Sequence, residues 1–224
     1  MVEFKESNKE AFTSKSMYIL GDSYSTFENY IPSGYAAWYV SGGTSQTDVT
    51  KVSETWWWLL KEAMKLNLVK NNSWSGTTIC YTGYGGNIIP QQSFIGRFEK
   101  DVQDGFFKNN DVDLVIIFGG TNDYCAGSPI GEIKWTDISD EDLKSTLPAF
   151  CKLLLSVKEV LPNAKIVNVI NSDLGSDIVS GMETACRTQN IITLHLGGIS
   201  KQAGHPTIEG MRQIYSQIYA ILNA

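Results

Sequence analysis

Five short apolar or β-branched runs, at 17–20, 68–71, 114–118, 165–170 and 191–196, recur along the chain with helical periodicity between them. This alternation restricts the fold more than any other feature. Strands joined by amphipathic helices return to the same sheet as parallel crossovers, so the pattern predicts one parallel sheet with helices on both faces, an α/β fold of three layers. In 53–66 the apolar set Trp56, Leu59, Leu60, Ala63 and Met64 follows helical spacing. Phe94, Ile95, Phe98 and Val102 mark a second helix. A third opens on Ser139 and Asp142 in capping-box spacing and carries Pro148 as an expected kink. Ile178, Met182, Ala185 and Cys186 mark a fourth, and the last starts beside Pro206 and runs through Ile208, Met211, Tyr215, Ile218 and Leu222.

Two segments break the alternation, 24–51 after the first strand and 124–138 after the third. They read as insertions in a single domain spanning 1–224, and both follow strand C-termini, where open α/β sheets bind their ligands. Eighteen Lys and Arg against twenty-four Asp and Glu give a net charge of −6, and no basic run suits a phosphate backbone, so no nucleic-acid partner is expected. The apolar runs are far shorter than the roughly 20 residues that cross a bilayer, so no membrane partner is expected. Residues 1–16 are polar and lack the apolar centre of a signal peptide, which fits a cytoplasmic protein or a secreted one with its signal removed. Cys80, Cys125, Cys151 and Cys186 are widely spaced and read as reduced thiols.

Four strand ends carry polar, chemically capable residues. Gly21-Asp22-Ser23 follows the first strand, Asn71-Asn72-Ser73-Trp74-Ser75-Gly76 the second, Gly119-Gly120-Thr121-Asn122-Asp123 the third and Gly204-His205-Pro206-Thr207 the fifth. Each alone reads as a turn. Together they put a hydroxyl, a glycine amide, an Asn amide and an imidazole on one sheet edge, the set needed for acyl transfer. His205, in a loop before a helix, is the candidate base, whereas His195 lies inside a strand and reads as a packing residue. No phosphate loop, no G-x-S-x-G elbow and no cluster of metal-ligand spacing occurs, so neither cofactor nor metal is expected.

These ordered blocks resemble the SGNH (GDSL-type) hydrolase family. The resemblance implies a flavodoxin-like five-stranded parallel sheet of order 2-1-3-4-5 in a three-layer α/β/α sandwich. It also implies Ser23 as nucleophile, His205 as base, and Ser23, Gly76 and Asn122 as the oxyanion hole. One position departs from the pattern, since the family's Asp three residues before the histidine is here Gln202. Gln202 is then the candidate partner of the imidazole, with Asp173, Asp177 or a backbone carbonyl as substitutes.

Residues 24–51 hold six aromatics, and Tyr24 and Trp38 from this segment, with Trp58 from the first helix, are candidate walls for a substrate. A satellite core beneath a long loop is the equal alternative. The expected function is a serine esterase acting on small acyl esters, O-acetyl groups on carbohydrates among them. The competing readings are a lysophospholipase or thioesterase for longer acyl chains and a non-catalytic carbohydrate-binding module on the same fold.

Overall fold

The computed structural model describes residues 15–44 and 46–224. Five strands, β1 (Ser16–Gly21), β2 (Asn67–Ser73), β3 (Leu114–Phe118), β4 (Lys165–Ile170) and β5 (Ile192–His195), pair in the order β2-β1-β3-β4-β5. Every pairing is parallel, giving the flavodoxin-like sheet expected above. All five side chains of β3 are buried, as a central strand covered on both faces requires.

Among the described residues seven α-helices follow in chain order: α1 (Trp56–Met64), α2 (Phe94–Gln103), α3 (Phe106–Asn109), α4 (Thr121–Ala126), α5 (Thr146–Val160), α6 (Ser176–Thr188) and α7 (Ile208–Leu222). Because strand side chains alternate between faces, the sheet has two cores. Tyr18, Leu20, Val115 and Ile117 pack with Phe98, Leu154 and Met182 on the α2, α5 and α6 side. Met17, Ile19, Ile116 and Val167 pack with Leu60, Met211 and Ile218 on the α1 and α7 side. Each fully buried large apolar side chain contributes roughly 1.5–3 kcal/mol, so the interdigitated faces hold the strand ends in fixed positions. Among the described residues no helix is long and apolar enough to cross a membrane, and the four cysteines are free thiols.

Several element starts differ from the expectations. The Ser139–Asp142 pair does hydrogen-bond, but it closes a 3-10 turn at Asp142–Lys144, and α5 begins afterwards at Thr146. Pro148 therefore lies in the first turn of α5, where its missing N–H leaves no helical bond unmade, and it introduces no kink. α7 is capped by Thr207, whose hydroxyl accepts the Gly210 N–H, and Pro206 belongs to a small hairpin before it. The segment 24–51 is no separate satellite, because Tyr24, Phe27, Tyr39 and Val49 enter the α1/α7 core.

Candidate active site

β1 ends where Asp22 caps a 3-10 turn, Ser23–Ser25, with its Oδ1 accepting the Tyr24 N–H at 3.0 Å. Ser23 opens this turn directly after the strand and is itself buried. Its hydroxyl lies 2.9 Å from His205 Nε2. The imidazole arrives on a hairpin of β6 (Lys201–Gln202) and β7 (His205–Pro206), joined through Ala203 and Gly204. Both linking residues have positive φ, +47° and +74°, the pattern of a type I′ turn. Gly204 takes that conformation freely, whereas Ala203 is strained in it by roughly 1–2 kcal/mol. In return the Ala203 carbonyl stands 3.0 Å from His205 Nδ1.

That contact fixes the tautomer. A carbonyl only accepts, so Nδ1 carries the proton and Nε2 presents its lone pair to the Ser23 hydroxyl. Gln202 is exposed and pairs with His205 across the hairpin, but among the described residues no hydrogen bond joins its side chain to the imidazole, whose Nδ1 faces the Ala203 carbonyl. Asp173 is held instead by Lys201 at 2.5 Å, and Asp177 starts α6 on the surface. A backbone atom thus takes the place expected for a side chain.

The aromatic insertion grips this hairpin. Tyr24 and Tyr39 donate to the carbonyls of Gly204 and Pro206, at 2.7 and 2.9 Å, on either side of the histidine. Trp38 stacks on the imidazole with ring centroids 3.5 Å apart and planes 9° from parallel. Tyr24, buried and engaged in this way, is a support for the histidine loop and not a wall open to substrate. Trp58 packs edge-on against Tyr30 beneath Lys61, so its contacts are with the insertion and α1. His195 is half-exposed at the end of β5 and faces Glu183 at 3.9 Å, not a buried packing histidine.

The residues expected to form the oxyanion hole lie on loops that are tied to one another. Gly76 has φ of +79° within the turn after β2, and a Cβ there would point into open space, so the left-handed backbone and not crowding demands glycine. This turn is tied to the serine loop by the Trp74 N–H on the Gly21 carbonyl. Among the described residues neither the Ser23 nor the Gly76 N–H meets a protein acceptor. Asn122 is the second residue of α4, and its Nδ2 donates to the Thr77 carbonyl at 3.0 Å while its Oδ1 accepts from the Tyr84 hydroxyl at 2.9 Å. Both contacts orient the amide and leave one N–H free for an incoming oxygen. Asp123 accepts the N–H groups of Ile79 and Cys80, which anchors the same loop from below.

Four participants were not singled out from sequence: Thr77, Tyr84, the Ala203 carbonyl and Arg97. Arg97 is fully buried and donates to the carbonyls of Gly21, Asn72 and Gln92 and to the Thr77 hydroxyl, joining the loops that carry Ser23 and Gly76. Burial lowers its basicity to about 10, still far above neutrality, so it remains a cation. A sequence signal existed for it. Phe94, Arg97, Phe98 and Asp101 occupy one buried stripe of α2, and a charge on such a stripe needs a polar purpose.

Electrostatics suit a base that is neutral near pH 7. Burial pushes His205 below the ordinary histidine value, the Ala203 carbonyl works the other way, and the nearby Lys201 ammonium pushes it down further. Lys201 is itself satisfied by Asn171 Oδ1 at 2.7 Å, Ser172 and Asp173.

Comparisons with known proteins give the family and the fold. The family model described as GDSL-like Lipase/Acylhydrolase matches residues 15–222. A crystal structure of a GDSL-like lipase from Bacteroides ovatus is 39% identical, covering 94% of this chain and 98% of its own, with a TM-score of 0.86. One from Bacteroides uniformis is 40% identical, covering 93% and 95%, also at 0.86. An acetyl xylan esterase from Butyrivibrio proteoclasticus shares the fold at 17% identity and a TM-score of 0.61, covering 94% of this chain and 63% of its own. No curated protein matches. With the family pattern running over residues 15–222 and two relatives near 40% identity along almost their whole length, the chain belongs to the GDSL-like lipase/acylhydrolase family and is a hydrolase of the SGNH type.

Proposed function

We propose that the protein is a serine esterase that removes small acyl groups, O-acetyl groups on carbohydrates in particular, through an acyl-enzyme on Ser23. The observation that carries the reading is the Ser23 Oγ to His205 Nε2 contact of 2.9 Å, with Nδ1 tied down by a carbonyl. Nε2 takes the serine proton as Oγ attacks the ester carbonyl. The carbonyl oxygen becomes an anion, and the free N–H groups of Ser23, Gly76 and Asn122 receive it. The imidazolium then gives its proton to the departing alkoxide, an acyl-serine remains, and water activated by the same Nε2 releases the acid. No charged side chain beyond the histidine needs to change its protonation state.

The carbohydrate assignment draws on aromatic surface around the site and on the shared fold of the acetyl xylan esterase. Tyr84, about half-exposed, reaches Asn122 by its hydroxyl, and Tyr124, equally exposed, lies two residues beyond Asn122 on α4. Flat faces beside the oxyanion donors suit sugar rings, which present C–H faces between their hydroxyls. The test combines a fluorophosphonate probe with p-nitrophenyl esters of increasing acyl length and acetylated xylan. Expected are labelling of Ser23, loss of labelling and turnover in a folded Ser23→Ala, and rates that decline beyond short acyl groups. Absence of labelling would favour a binding module, and a preference for long chains would move the substrate to lipids.

A further inference from the structure

We propose that Trp38 takes over the work of the carboxylate that this chain lacks beside its histidine, its indole face stabilising the imidazolium that forms when Ser23 gives up its proton. The inference deepens the esterase reading and rests on it for its consequence in turnover, though not for its effect on the imidazole itself.

The surroundings of His205 leave few sources of compensation for a positive ring. Nδ1 faces the Ala203 carbonyl, a dipole with no net charge. Among the described residues no carboxylate hydrogen-bonds to the imidazole, whose two nitrogens face the Ala203 carbonyl and the Ser23 hydroxyl. On the β6 side Asp173 is held by Lys201, whose ammonium opposes a charged histidine. On the α7 side Asp48 accepts the Ile208 N–H and Glu209 faces Arg212. At the end of β1 the Oδ1 of Asp22 accepts the Tyr24 N–H and its Oδ2 is buried without a partner among the described residues, with no hydrogen bond to the ring. Tyr24 itself is tilted 57° to the imidazole at 5.4 Å, with its hydroxyl committed to Gly204.

What remains is the indole, parallel to the ring and 3.5 Å away. A cation within about 6 Å of an aromatic centroid is attracted by the negative π face, and tryptophan is the strongest such face. Trp38 is also held in register with the nucleophile. Its backbone N–H donates to Thr26 Oγ1 at 2.9 Å, and that hydroxyl donates to the Ser23 carbonyl at 3.0 Å. The backbone that carries the indole is therefore tied to the serine turn. Trp38 acts through the imidazole, which makes it a positioning and charge-stabilising residue.

The experiment alters the π face while keeping its shape. Trp38 is replaced site-specifically by mono-, di- and trifluorinated tryptophans, and His205 is titrated by NMR, with only His195 as a second signal. p-Nitrophenyl acetate turnover is measured in parallel. Each fluorine withdraws density from the ring, so His205 should become stepwise less basic, and kcat should fall by about 3- to 10-fold over the series with KM nearly constant. Trp38→Phe should retain more of both than Trp38→Leu. A flat titration across the fluorinated series overturns the proposal, because a packing role would not respond to electron withdrawal. If basicity falls along the series while the wild type neither labels nor turns over, the role of Trp38 stands and the esterase reading fails.

Discussion

Asn122 illustrates how much of this site depends on single amide and hydroxyl groups. Its side chain can offer an N–H to an oxyanion only if the amide is the right way round, and the Thr77 carbonyl and Tyr84 hydroxyl set that orientation. Asn122→Ala should lower kcat on the order of 10²-fold with little change in KM. Tyr84→Phe should lower it by about 3- to 10-fold, the worth of one neutral hydrogen bond, and should add nothing in the Asn122→Ala background. Additive losses would instead give Tyr84 a separate role on the substrate. For the base, burial and Lys201 both favour the neutral imidazole, so activity should rise through an apparent pKa below about 6.5 and stay level above it. Because Nδ1 meets a backbone carbonyl, Gln202→Ala should leave both kcat and that profile unchanged, and a shifted acid limb would show that residue 202 reaches the ring after all.

At the scale of elements, long periodic or wholly apolar segments were legible and short ones were not. The five strand runs are recovered within about a residue or two, most closely β3, which is apolar and buried along its whole length, whereas the edge strands β2 and β5 are only partly buried. α3, α4 and the β6/β7 hairpin are two to six residues each, too short for any period to show. The four motifs carrying Ser23, Gly76, Asn122 and His205 could be read because they directly follow strands or stand before a helix. The acceptor at Nδ1 could not, since a carbonyl leaves no mark in the side-chain sequence. Contacts such as Trp38 on His205, 167 positions apart by number, are set only when the insertion folds over the hairpin. The hairpin itself is testable. Asn tolerates the left-handed region better than Ala and is the favoured partner of Gly in a type I′ turn. Ala203→Asn should therefore raise Tm by a few degrees and keep kcat within about twofold, because the backbone carbonyl stays in place. Lost activity with an unchanged Tm would mean that the strained alanine geometry itself matters to the base.

For the molecule as a whole, the same burial that fixes the serine turn places a carboxyl where it is costly to ionise. Asp22 is fully buried, its Oδ1 accepts the Tyr24 N–H, and its Oδ2 has no partner among the described residues. Burial is the main cause that raises its pKa from 3.8 to about 7, with Asp123 adding to the shift and Arg97 opposing it. The sign of the consequence follows from proton binding. Below pH 3.8 the group is protonated whether the chain is folded or not, and it costs nothing. Between 3.8 and about 7 the folded chain binds more protons than the unfolded one, so stability falls as pH rises. Above about 7 both states are ionised and the fold bears the whole cost, on the order of 4 kcal/mol for a shift of this size. Asp22→Asn keeps the acceptor for Tyr24 and removes the charge, at the expense of a buried N–H worth about 1–3 kcal/mol that does not vary with pH. The Tm of Asp22→Asn relative to wild type should accordingly improve from pH 5 to pH 8, by about 5 °C or more at the usual 2–4 °C per kcal/mol for a chain of this length. Parallel Tm curves for the two proteins over that range would mean that the fold does not hold the proton on Asp22, and that the serine turn carries an ionised carboxylate at every pH where the esterase works.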